Sequence, residues 1–142
     1  MPAPGVPDGY NSVIPYLIVE DGNRTMDFLV KGLGGSEVER ITGPDGVFMH
    51  GEVRIGDSMV MMGQARDACP AMPCMLYLYV ADCDALYGQA LAAGAESVQE
   101  PADQFYGDRT AGVKDADGIQ YFLGTRKETL SPEELAKKAQ GG

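Results

Sequence analysis

Along the chain the apolar positions change period in a regular order. From Ile14 to Val19 they alternate, and beyond Glu20-Asp21 the residues Met26, Leu29, Val30 and Leu33 recur at i, i+3, i+4 and i+7. Alternation predicts a strand, and the 3.6-residue stripe predicts a short amphipathic helix that Gly34-Gly35 ends. Ser36 to Thr42 reads as a short strand, Gly43-Pro44-Asp45-Gly46 as a turn, and Phe48 to Ile55 with Ser58 to Met62 as a hairpin about Gly56-Asp57. A βαβββ module over about residues 12–63 follows from this order.

The order then repeats. Met75 to Val80 is expected as a strand, Asp82 or Asp84 as the cap of a helix through Ala93, and Gly94 as its left-handed stop. A short strand near Ser97 to Gln99, a loop, and the segments Thr110 to Lys114 and Ile119 to Leu123, joined by Asp115-Ala116-Asp117-Gly118, complete a second module over about residues 75–125. Tyr16-Leu17-Ile18-Val19-Glu20-Asp21 overlies Tyr77-Leu78-Tyr79-Val80-Ala81-Asp82 at an offset of 61, which also carries Gly51 onto Gly112. Ser131-Pro132-Glu133-Glu134 has the form of a capping box and predicts a tail helix over about residues 131–139. The whole chain, residues 1–142, is expected to form a single domain.

Side chains alternate across a strand, so each strand offers one face to its helix and the other to the concave side of a curved sheet. Leu17, Val19, Val53, Val60, Leu76, Leu78, Val80, Ile119, Tyr121 and Leu123 are expected beneath the helices. With a two-residue turn at Gly56-Asp57, Arg54 falls opposite Met59 and Glu52 opposite Met61, on one face with His50. The concave side then carries Ile14, Tyr16, Ile18, Met75, Tyr77, Tyr79 and Phe122. Such a methionine- and aromatic-rich lining suits an adaptable apolar or planar ligand, and would also serve as a filled core or a subunit interface. His50 and Glu52 are candidates for acid/base catalysis, for holding a ligand's polar group, or for a structural hydrogen bond. In the loop Pro101 to Arg109, Phe105 and Tyr106 are expected as a lid or wall, and Asp108 and Arg109 as ligand contacts or as a brace.

Composition narrows the partners. The net charge is −10 and the Lys and Arg residues are scattered, so no basic stripe is available for nucleic acid. No apolar run approaches the ~20 residues that cross a bilayer, which argues against a membrane partner. The opening MPAPGVPDGY lacks the basic and apolar regions of a secretory signal, so the cytoplasm is the expected compartment. Cys69, Cys74 and Cys83 form no C-x-x-C pair and are expected as small hydrophobes, and Cys69-x4-Cys74 with His50 fits no common zinc spacing.

The two halves, with Arg24-Thr25-Met26-Asp27-Phe28-Leu29, Met49-His50-Gly51-Glu52-Val53-Arg54-Ile55-Gly56-Asp57-Ser58, the Pro101 to Arg109 loop and Val113-Lys114-Asp115-Ala116-Asp117-Gly118, resemble the vicinal-oxygen-chelate (glyoxalase/bleomycin-resistance/dioxygenase) superfamily. The resemblance covers about residues 12–130 and is greatest to the phosphonate-operon glyoxalase-like branch. It implies an α+β fold in which two βαβββ modules form a strongly curved mixed sheet around a concave cavity, in a homodimer. Metal-dependent members carry His, Gln or Glu at strand positions that here fall near Ile14, Met61, Met75 and Phe122, none of which suits Zn, Ni, Fe or Mn. The expectation is therefore a protein without metal or other cofactor. Like drug-sequestering members, it would hold a small apolar or cationic aromatic molecule, using Tyr16, Arg54, Met59, Met61, Met75, Tyr77, Tyr79, Phe105, Tyr106, Arg109 and Phe122. The alternative is a lyase, isomerase or other enzyme of the superfamily that works through His50 and Glu52, metal-assisted or not.

Overall fold

In the computed structural model, which describes residues 3–141, the first module runs β1 (Tyr16–Val19), α1 (Gly22–Lys31), β2 (Ser36–Thr42), β3 (Phe48–Ile55) and β4 (Ser58–Gln64). The second runs β5 (Met75–Tyr79), α2 (Cys83–Ala92), β6 (Glu96–Asp103), β7 (Asp108–Lys114) and β8 (Gln120–Arg126), and α3 (Pro132–Ala139) follows. Each module is a four-stranded mixed sheet in the order first, fourth, third, second, with only the first and fourth strands parallel. The architecture is the α+β pair of βαβββ modules that the periodicity predicts. The two sheets remain separate and do not close into one continuous wall.

Local chemistry sets the element ends. Asp21 and Asp82 each accept the backbone N–H three residues on, at 3.1 Å, so Asp82 and not Asp84 caps α2. Ser131 and Glu134 form the reciprocal capping box of α3. Strand β1 starts at Tyr16 because Pro15 has no N–H to give to a ladder, which leaves Ile14 outside the row it was expected to join.

One core serves both modules. Met26 and Leu29 of α1 are fully buried with Leu17, Val53 and Met62 of the first sheet and Val113, Tyr121 and Leu123 of the second. Each such side chain contributes about 1.5–3 kcal/mol. Phe28 of α1 packs its ring 5.6 Å from that of Tyr121. Asp117, in the β7–β8 turn, accepts hydrogen bonds from Arg24 and from Thr25 of α1, both at 2.7 Å. The buried Asp115 shapes that turn by accepting from the backbone N–H groups of Asp117 and Ile119 and from the Tyr121 hydroxyl. Burial pushes the Asp115 carboxyl up, and these three donors only partly counter it. Among the described residues no helix is long and apolar enough to cross a membrane.

The offset of 61 holds for the outer pairs: Tyr16 neighbours Met61 as Tyr77 neighbours Phe122. It slips by one in the inner strands, because Arg54 pairs with Met59 across four residues whereas Lys114 pairs with Gln120 across five. Glu52 stands opposite Met61 and Gly112 opposite Phe122, so Gly112 corresponds to Glu52 and not to Gly51. The two glycines lie on opposite faces: a Cβ on Gly51 would meet Met26 of α1 at 2.5 Å, and one on Gly112 would meet the Phe122 ring at 2.8 Å.

Candidate functional site

Each sheet has one face under the helices and one open face, and the chemistry lies on the open faces. In module one the predicted hairpin register holds, with Glu52 opposite Met61 and Arg54 opposite Met59, and His50 opposite Gly63. Strand β2 adds a residue that was not expected there. Its pairing runs Glu37 to Val53 and then Glu39 to Glu52, leaving Val38 as an extra residue. A bulge of this kind re-aims the side chains that follow it, so Glu39 faces Glu52 on the open side while Arg40 turns to Asn23 and Asp27 of α1.

A hydrogen-bonded chain crosses this face. The Tyr16 hydroxyl lies 3.1 Å from His50 Nδ1, His50 Nε2 lies 2.9 Å from Glu52 Oε2, and the Tyr10 hydroxyl donates to Glu52 Oε1. Burial would raise the Glu52 carboxyl, but the hydrogen bonds to His50 and Tyr10 outweigh it and hold the group below its ordinary value. Tyr16 lies over Gly63, where a Cβ would come 3.1 Å from its hydroxyl. It lines a hollow of about 430 Å³ with Ile18, Val47, Met49, Arg66 and Cys69.

Module two repeats the plan with different groups. Tyr77 lies over Gly124, where a Cβ would be 2.5 Å from its hydroxyl. The Tyr77 and Tyr79 hydroxyls donate to Asp108 Oδ2 at 2.7 and 2.9 Å, and Arg126 Nε donates to Oδ1 at 2.6 Å. Arg126 also donates to the Tyr79 hydroxyl and stands 5.6 Å over its ring. Asp108 is buried, which alone would raise its carboxyl; Arg126 and the two phenols reverse that and hold it low. Burial and the bond to Asp108 push the Tyr77 phenol up, so it stays protonated as a donor at neutral pH.

The predicted ligand residues divide between these surfaces. Tyr16, Met75, Tyr77, Tyr79 and Phe105 are 42 to 61% exposed. Phe105 and Tyr106 form an edge-to-face pair in the β6–β7 turn, with Tyr106 beside Tyr77. Met59 joins Tyr77 and Tyr79 in a hollow of about 700 Å³, between residues 11–15, the start of β4 and β5. Tyr16 lines the other hollow, and Met61, Met75, Phe105, Tyr106 and Phe122 line neither, so one chain does not bring the set into a single pocket. Arg54 lies against Gly9 of the N-terminal arm. Arg109 points the other way: it alternates with Ala111 and Val113 on the helix side, and its guanidinium is held by Asp84 at 2.7 and 3.0 Å and by Asp103 at 3.2 Å. Arg126 was missed because β8 was expected to stop at Leu123; its pairing opposite Asp108 follows once the strand continues.

The family's metal positions do not fit a divalent ion here, since Ile14, Met61, Met75 and Phe122 offer no side-chain oxygen or nitrogen. Residues 10–121 nevertheless match the model of the Glyoxalase/Bleomycin resistance protein/Dioxygenase superfamily. The chain belongs to this superfamily. An uncharacterized protein of Mycobacterium bovis is 34% identical over 143 aligned positions, covering 89% of this chain and 92% of its own. Among solved structures, TioX from Micromonospora sp. ML1 superposes with a TM-score of 0.70 at 24% identity, over 80% of this chain and 97% of that one. TnmS3, an antibiotic binding protein from Streptomyces sp. CB03234, does so with a TM-score of 0.65 at 22% identity, over 80% and 93%. At these identities the superpositions establish the fold that the superfamily member shares with them.

Proposed function

We propose that this superfamily member is a small-molecule binding protein that sequesters an apolar or cationic aromatic compound, and that it does so as a cytoplasmic homodimer. The observation that carries the reading is the exposed row Met75, Tyr77 and Tyr79, whose phenols are fixed by Asp108 and Arg126. A row of methionine and tyrosine left open to water in one chain fits a surface that a second copy and a ligand cover. The antibiotic binding of TnmS3 supports the same ligand class. The Pro101 to Arg109 loop and the Asp115 to Gly118 turn favour the phosphonate-operon branch. The test is titration with cationic aromatic dyes such as proflavine and ethidium, followed by dye fluorescence, with sedimentation velocity for the dimer. Saturable binding that Tyr77→Ala and Met75→Ala weaken is expected; absence of saturable binding to any dye would overturn the cationic-aromatic assignment.

The chain Tyr16–His50–Glu52 supports a second reading, an enzyme that moves a proton at Tyr16 through His50. Solvent-deuterium incorporation into α-hydroxy and α-keto carbonyl compounds, lost in His50→Gln with the fold intact, would favour it over sequestration.

A further inference from the structure

We propose that Glu39, His50 and Glu52 form a divalent metal site on the β2–β3 pair, away from the strand positions at which the superfamily's metal would be expected. One donor atom from each lies within 4.8 Å of the others. First-row ions hold oxygen and nitrogen donors at about 2.0–2.2 Å, so neighbouring donors on one ion stand roughly 3–3.5 Å apart. The exposed Glu39 side chain would close the remaining distance, on the order of an ångström, by a change of rotamer.

Three further features fit an ion. First, the Val38 bulge turns Glu39 onto the open face directly opposite Glu52. Like charges opposed across a strand pair are unfavourable, and Glu39 has no hydrogen bond or ion pair among the described residues; a divalent cation would neutralise both carboxylates. Second, the outer contacts already suit metal ligation. Tyr10 holds Glu52 Oε1, so Oε2 and His50 Nε2, which face each other at 2.9 Å, are the atoms an ion would take in place of that contact. Tyr16 sits on His50 Nδ1, where it would accept the Nδ1–H of a histidine bound to metal through Nε2. Third, the site belongs to one module alone. The same bulge recurs at Val98, but the corresponding residues there are Gln99, Thr110 and Gly112, with Gln99 spent on Thr110. Two carboxylates and an imidazole select Mn²⁺, Fe²⁺ or Zn²⁺ over soft ions.

The experiment is calorimetric titration of the chelator-treated full-length protein with MnCl₂ and ZnCl₂, with Cys74→Ser as a control against thiolate binding. One ion per chain is expected for the wild type and for Cys74→Ser, with affinity at least about tenfold weaker in Glu39→Gln, His50→Gln and Tyr16→Phe. No saturable binding of either ion, or binding unchanged in both Glu39→Gln and His50→Gln, overturns the site. If His50→Gln fails to fold, Glu39→Gln decides, because its side chain is exposed. Dye titration reads the tyrosine row of module two, so the failure of either proposal is visible separately from the other.

Discussion

The two open faces are built on the same bulged βαβββ plan and settle their charge in opposite ways. In module two the buried carboxylate Asp108 is neutralised from within, by Arg126 and two phenols. In module one the buried carboxylate Glu52 has a histidine and a phenol, and a second carboxylate, Glu39, stands opposite it. A closed ion pair gives a rigid patch that can fix the tyrosines above it, whereas an open cluster with surplus negative charge is suited to receive a cation. The two modules therefore share the backbone device and differ in what it presents.

The largest test of this contrast is removal of each carboxylate. Asp108→Ala strands an arginine and two phenols and should cost about 1–3 kcal/mol in urea unfolding at neutral pH. Glu52→Ala also removes the repulsion from Glu39 and should cost less, about 0.5–1.5 kcal/mol. Equal or reversed costs would break the contrast.

A second comparison uses the glycines beneath the tyrosines. Gly124→Ala would drive a Cβ to 2.5 Å from a hydroxyl that Asp108 pins, and should destabilise by about 1–2 kcal/mol in the same assay. At Gly63 the approach is 3.1 Å, and the backbone entropy gained by alanine, about 0.5–1 kcal/mol, should bring the net change close to zero.

Acid titration sharpens it further. Because folding holds the Asp108 carboxyl below its ordinary value, its contribution is complete above the unfolded value of about 3.9 and is lost as pH falls through the lower folded value. Stability measured by urea unfolding from about pH 5 to pH 2 should fall less steeply in Asp108→Asn than in the wild type. The smallest expected effect is that of Gln99→Glu: with Thr110 and Gly112 beside it, the added carboxylate should create no calorimetric Mn²⁺ site in module two.

Much of the fold was legible because period and capping are local. The stripe Met26, Leu29, Leu33 lies buried in the core, and Asp82, one of two expected caps, and Ser131 cap their helices. The two-residue turn at Gly56-Asp57 fixed the β3–β4 register, and with it the shared face of His50, Glu52, Met59 and Met61. Arg109 was expected in a loop but lies in β7, where alternation with Ala111 and Val113 sends it to the helix side; its pairing with Asp84 and Asp103 is the brace that was one of the two expectations. Glu39 left no such trace, since an extra residue in an edge strand carries no periodic signal of its own.

What the sequence alone determined, then, is the class of fold, the two modules and the hairpin pairing, all of which rest on side-chain type and short-range spacing; the missing donors at Ile14, Met61, Met75 and Phe122 were legible only through the family resemblance. What only the tertiary structure decided is which distant groups meet: Tyr10 with Glu52, Tyr77 with Asp108 and Arg126, and Glu39 with His50. Those meetings depend on a one-residue bulge, on a slip in the repeat and on how far each strand extends, and a change of a single residue in any of them moves a side chain to the opposite face.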